Sequence, residues 1–209
     1  MVQGKTIGVD PVFRLNGPIL GRKAQLHLFQ ETSDSFFASN RLETLRARPA
    51  VAFIDGMHLV EFALRDILNT EFHADPGGVI FVHDCFPFNF EMTTRDLDNL
   101  PKTWTGDVWK LVPILQEHRP DLKLTMLDAR PTGLLAIQNL KPGQAQPQIN
   151  LNEIAADYVQ ISLQDFGLDR FNTLFEFTDT RSVLSDDRLG LSMLADPQLA
   201  LPEPDLVTP

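Results

Sequence analysis

The sequence predicts a doubly wound α/β domain with a mostly parallel sheet, and three observations carry that prediction. Short β-branched runs alternate with stretches of helical periodicity. Two of these runs, Val51-Ala52-Phe53-Ile54 and Val79-Ile80-Phe81-Val82, are apolar at every position, as strands covered on both faces must be. The last two strands follow one another with no helix between them, which places an antiparallel strand at the edge of the sheet.

Each element has its own signal. Lys5-Thr6-Ile7-Gly8-Val9-Asp10 is a β-branched run that stops at an acid and Pro11, and Gln25 to Gln30 alternates polar and apolar residues like a half-buried strand. Ser33 and Asp34 are placed to cap a helix reaching about Arg46. Between the two apolar strands, Val60, Ala63, Leu64, Ile67 and Leu68 form a stripe at helical spacing, and Pro76-Gly77-Gly78 ends that helix. Residues 86–103 have no period and read as a long loop with a helical turn. Thr105 can cap a helix over about Asp107–His118, in which Pro113 forces a kink or a first-turn irregularity. Leu122–Leu127 and Leu134–Asn139 form the closing strand pair. Pro142–Pro147 reads as a linker, Asn152–Gln164 as a helix, and the proline-rich residues 195–209 as a disordered tail. The expected organisation is an α/β domain over 1–140, a helical extension over 141–194, and that tail.

Composition limits the function. Eighteen basic and twenty-eight acidic residues give a net charge of −10, which repels phosphates and speaks against nucleic acid or an anionic membrane as partner. One cysteine, Cys85, rules out an internal disulfide framework and suits a reducing compartment. The first residues lack the apolar core of a signal peptide, so a cytoplasmic, soluble protein is expected.

Six ordered motifs then resemble one family. They are IGVDP at 7–11, ETSDSFF at 31–37, FIDGMH at 53–58, PGGVIFVHD at 76–84, TGDVWKLVPIL at 105–115 and PTGLLAI at 131–137. Together they resemble the class I S-adenosylmethionine-dependent methyltransferases, and among these the small-molecule and sugar methyltransferases with an FIDG-x-H signature. The resemblance implies a Rossmann-like fold, S-adenosylmethionine as cofactor, and methylation of an oxygen, or of a nitrogen, on a small metabolite or sugar. It also exposes a departure. No Gly-x-Gly-x-Gly stands anywhere in the chain, and the segment expected to supply the family's first strand and glycine-rich loop is missing. That predicts an N-terminally truncated chain from a late translation start, with weak or no cofactor binding. Two further solutions are open: direct pairing of the strands flanking the gap, or filling of the gap by Leu174–Thr178. A non-catalytic methyltransferase-like interaction module is the alternative function, and an exposed strand edge leaves a homo-oligomer open.

In such folds ligands bind at the C-terminal strand ends, where Asp10, Asp55, His83 and Asp84 fall. The resemblance implies that Asp10 accepts hydrogen bonds from the cofactor ribose, against a plain turn before Pro11, and that Ser33 or Asp34 contacts adenine, against a helix cap. Asp55 and Asp84, on adjacent strand ends, either share a proton or bind a cation, and related enzymes hold a divalent metal such as magnesium there. Asp55, His58 and His83 are the candidate catalytic residues, with either imidazole able to serve as general base. The competing reading has Asp55 capping the next helix and His83 bonding the loop. Cys85 is expected to be a buried small apolar residue, and Trp104 and Trp109 core or loop anchors.

Overall fold

In the computed structural model, which describes residues 4–144, 150–187 and 189–191, the strands form two separate sheets. The chain divides into two units, Met1–Leu45 with Gly190–Pro209, and Arg46–Leu189. The expected tail at 195–209 and residues 145–147 of the expected linker lie outside the described residues.

In the first unit β1 (Lys5–Val9) and β2 (Gln25–Phe29) pair in parallel, with Lys5 opposite Gln25. The helix expected to run to Arg46 is two short ones, α1 (Ser33–Ala38) and α2 (Arg41–Thr44). Asn40 separates them with a left-handed φ of 49°, a conformation that Asn tolerates and a helix cannot continue through. The cap of α1 is Thr32, whose hydroxyl accepts from the Ser35 amide at 3.2 Å, rather than Ser33 or Asp34.

The second unit runs β3 (Val51–Ile54), α3 (Val60–His73), β4 (Val79–His83), α4 (Leu111–His118), β5 (Lys123–Leu127), β6 (Leu134–Gln138), α5 (Leu151–Tyr158), α6 (Leu163–Phe166), α7 (Leu168–Asn172), β7 (Phe177–Thr178) and α8 (Thr180–Ser185). The sheet order is β3-β4-β6-β5-β7. Four strands share one direction, and only β6 opposes its neighbours β4 and β5. The fold is therefore mixed α/β with a mostly parallel, Rossmann-like sheet.

The position of the reversed strand differs from expectation. It is interior, because the hairpin out of β5 returns β6 into the slot beside β4, and β7 then pairs with the outer side of β5. Leu174–Thr178 accordingly adds its strand at the far edge from β3. β1 and β3 belong to different sheets, so direct pairing across the expected gap does not occur. Among the described residues no strand pairs with the second edge of β3. Two helices also differ in their bounds, the first beginning at Leu111 rather than about Asp107. Pro113 takes the third position of α4, after a 3₁₀ turn at Val108–Lys110, so the irregularity falls in the first turn, where a missing amide costs little. The helix expected over 152–164 ends at Tyr158, and Ser162 caps a new one by accepting from the Asp165 amide at 3.1 Å.

The core lies where α3 and α4 cover the sheet. Val60, Ala63, Leu64 and Ile67 of α3 meet Leu111, Val112, Ile114 and Leu115 of α4, over Ile80, Val82, Leu135 and Ile137 from β4 and β6. Each fully buried side chain of this size contributes about 1.5–3 kcal/mol. Among the described residues no helix is long and apolar enough to cross a membrane.

The far ends of α3 and α4 are joined by a buried ion pair. Glu71 is 1% exposed and accepts two bonds from the Arg119 guanidinium, at 2.6 and 2.8 Å, and a third from the Lys141 amide at 2.8 Å. Asp121 also holds Arg119, at 2.9 Å. Removing Glu71 leaves the buried Arg119 guanidinium with Asp121 alone and the Lys141 amide without its acceptor. Glu71→Ala is therefore expected to destabilise the protein by about 3–5 kcal/mol in denaturant unfolding; a loss under about 1 kcal/mol would show the pair to be incidental.

Candidate active site at the ends of β3 and β4

β3 and β4 are parallel, with Ile54 opposite Val82, so the residues that follow, Asp55 and His83, emerge as neighbours. His83 Nδ1 donates to Asp55 Oδ1 at 3.3 Å. The next residue, Asp84, takes a left-handed φ of 62°, a conformation open to aspartate at a cost of order 1 kcal/mol. Its carboxylate is 9% exposed, and the Thr132 hydroxyl, from the β5–β6 turn, donates to Oδ1 at 2.5 Å.

His58 completes the group from the loop before α3. Its Nε2 lies 3.4 Å from Asp55 Oδ1 and 3.3 Å from Asp84 Oδ2. The ring is held from behind by a segment nearly fifty residues downstream. Nδ1 bonds the Trp104 carbonyl at 2.9 Å, and the indole lies against the imidazole with centroids 5.0 Å apart. The Asp107 amide donates to the His58 carbonyl at 3.1 Å. Gly106, at φ 54°, makes this approach possible, since a Cβ there would sit 1.7 Å from the His58 carbonyl oxygen.

Asp107 has a second task. Its Oδ1 accepts from the Val60 amide at 2.8 Å and so satisfies the start of α3, the work that one reading of the sequence assigned to Asp55. Its Oδ2 binds Arg95 and Lys110, each at 2.7 Å, and Arg95 pairs in turn with Glu61 at 2.6 Å. A cleft of about 620 Å³ opens over this network and is lined by Arg95, Asp107, Lys110 and Val159. None of the strand-end groups lines it. Its cations already have partners, so it does not compete with the strand ends as the site of chemistry.

The electrostatics of the strand ends follow from one mismatch. Because Nδ1 of His58 gives its proton to Trp104, a neutral ring turns a bare Nε2 lone pair toward two carboxylates. Acceptors cannot bond acceptors, so a proton or a cation must lie between them. With a proton, burial works to lower the His58 pKa, but the bond to Asp55, the charge of Asp84 and the Trp104 carbonyl together raise it above 6.5. Asp55 is held below 3.8, foremost by its bond to His58, against the penalty of partial burial and with help from His83. Asp55, His58 and Asp84 also fit a metal ion, each offering one ligand atom with all three within 4.8 Å of one another.

Comparison with known proteins finds one family. Residues 4–85 match a family described as a methyltransferase domain. The match runs from β1 through β4 and includes all seven candidate residues: Asp10, Ser33, Asp34, Asp55, His58, His83 and Asp84. It supports a methyltransferase, a family that generally uses S-adenosylmethionine. No curated protein matches the chain.

The structure brings together Asp55, His58, His83 and Asp84, and leaves Asp10, Ser33 and Asp34 in the first unit. There Asp10 is exposed at the end of β1, and its Oδ1 accepts from the Val12 amide at 2.6 Å, the turn that was the alternative to a ribose contact. Ser33 and Asp34 stand in the first turn of α1. Sequence reasoning missed Thr132 and the active part of Trp104. Thr132 lay in a turn known only by its proline and glycine, and Trp104 acts through its carbonyl, which no residue type reports. Cys85 is fully buried, and burial pushes its thiol pKa up, so it is an apolar filler as expected. Trp109, 1% exposed, is a core anchor.

Two outcomes follow. The raised pKa of His58 contributes stability that is complete below about 6.5 and is lost as pH climbs through the folded value; the lowered pKa of Asp55 contributes above about 3.8 and is lost as pH falls. In a chelator-treated sample, an NMR titration of the His58 ring should have its midpoint above 6.5, and Asp55→Asn should bring it down. Gly106→Ala should displace His58 and destabilise the fold by more than about 2 kcal/mol, measured by thermal unfolding; unchanged stability would contradict the close approach.

Proposed function

We propose that the protein is an S-adenosylmethionine-dependent methyltransferase acting on an oxygen of a small metabolite or sugar. The observation that carries this reading is the gathering of Asp55, His58, His83 and Asp84 at two parallel strand ends, within the segment that matches a methyltransferase domain.

In methyl transfer the carbon–sulfur bond of the sulfonium breaks as the carbon–oxygen bond forms, and the acceptor hydroxyl must give up its proton. The protein's part is to align donor and acceptor and to receive that proton. His83 suits the second task. Its Nδ1 proton is committed to Asp55, which leaves Nε2 as a lone pair on a ring that is about a quarter exposed. Asp55 then balances the imidazolium that forms, as a carboxylate does behind a histidine base. Asp55 and Asp84 would hold a divalent cation, whose chemistry is to lower the pKa of a substrate hydroxyl. Asp10 would accept hydrogen bonds from the cofactor ribose, and Ser33 or Asp34 from its adenine.

The second reading is a non-catalytic methyltransferase-like interaction module that keeps the strand-end cluster. These 209 residues, which hold no Gly-x-Gly-x-Gly, are expected to bind the cofactor weakly, with a Kd above roughly 100 μM. Incubation with methyl-labelled cofactor and a panel of sugars and small hydroxylated acceptors separates the two. The enzyme should transfer label, and His83→Gln should reduce kcat by about 10²–10⁴ with KM little changed. No transfer, together with no calorimetric binding at millimolar cofactor, would falsify the enzyme reading in favour of the module.

A further inference from the structure

We infer that the cation site is a three-donor site, Asp55, His58 and Asp84, for a first-row transition ion of the zinc class in preference to magnesium. The inference rests on the cation in the preceding reading and concerns which ion the site takes and which side chain selects it.

Three independent features lead to it. The first is the donor set. Two carboxylates and an imidazole differ from the all-oxygen shell that magnesium prefers, whereas imidazole nitrogen suits zinc and its neighbours. The second is spacing. His58 Nε2 stands 3.4 and 3.3 Å from the oxygens of Asp55 and Asp84. Ligands about 2.1 Å from a shared centre are about 3.4 Å apart at tetrahedral angles and only about 3.0 Å apart at the right angles of an octahedral ion, and the two acids, whose ligand atoms lie within 4.8 Å of each other, must stand under about 4.2 Å apart once an ion is bound.

The third feature is what lies behind the donors. A metal-binding histidine commonly gives its other ring proton to a carbonyl or carboxylate, which fixes the tautomer and aims the free nitrogen. His58 does this with Trp104, and the clamp is built deliberately enough to require Gly106 at its closest point. Asp84 is treated alike, with Thr132 occupying Oδ1 while Oδ2 faces His58. Thr132 is 1% exposed, so its hydroxyl serves that carboxylate and not solvent. Three protein donors also leave a position for a substrate oxygen, as catalytic zinc sites do. Cys85, although next to Asp84, turns its sulfur to the Val82 carbonyl at 3.6 Å and is not a donor here.

The test uses the full chain, stripped with chelator and titrated separately with zinc, cobalt and magnesium chlorides. Calorimetry should find one zinc per chain, bound at least about a hundredfold more tightly than magnesium. Cobalt should develop the visible absorption of a four- or five-coordinate ion with nitrogen and oxygen ligands. His58→Asn should weaken zinc binding at least about tenfold and remove the cobalt spectrum, and Thr132→Val should weaken it by about 10–100-fold with His58 intact. Should His58→Asn fail to fold by circular dichroism, the wild-type zinc-to-magnesium ratio and Thr132→Val decide the matter. Magnesium binding as tightly as zinc, or a folded His58→Asn with unchanged zinc affinity, overturns the inference but leaves a cation at Asp55 and Asp84. If no ion binds the wild-type chain, that cation assignment falls as well.

Discussion

Two carboxylates delivered to neighbouring strand ends repel each other, and much of the surrounding structure answers that repulsion. With their facing oxygens within 4.8 Å of each other and an effective dielectric of 20, the cost is about 3 kcal/mol or more. Asp55 and Asp84 cannot avoid the encounter, because parallel pairing of β3 with β4 brings both strands to an end together. The protein offsets it with two imidazoles, each contacting both acids, and with the Thr132 hydroxyl on the more buried one. A set of groups that needs positive charge and holds its donors in fixed orientations is what a cation or a migrating proton requires.

Rigidity at this point comes from α3 and its fastenings. The helix begins two residues after His58, and its first turn is tied down by Asp107, which also gathers Arg95 and Lys110. Its last turn is tied by Glu71 to Arg119 at the end of α4. Between these anchors the apolar stripe of α3 packs on α4 and the sheet. The segment from Trp104 to Asp107 therefore links the core to the site: the same few residues cap the helix, press on the His58 backbone and fix its ring.

Much of this was legible in the sequence. Apolar runs ending in Asp55 and in His83-Asp84 announced parallel strands with titratable groups at their ends, and the α3 stripe was read residue by residue. Of the two strands, β4 is covered as expected, whereas β3 exposes Val51 and Phe53, because among the described residues no strand pairs with its outer edge. Misreadings fell where local pattern carries no information about a distant partner. A hairpin of two apolar strands does not reveal which of them will lie beside β4. A cap signal at Ser33-Asp34 is one residue from the true cap at Thr32, and the helix it begins is broken by Asn40, which looks like any other polar residue.

By itself the sequence determined the element types, the parallel character of the sheet and the four titratable groups at its rim, because periodicity and strand-end position are local properties. Only the tertiary structure decided that β6 is interior, that Asp107 rather than Asp55 caps α3, and that Trp104 and Thr132 orient His58 and Asp84. Those outcomes depend on carbonyls, hydroxyls and backbone angles meeting across some fifty residues of chain, and such meetings arise from packing, which no residue's identity encodes.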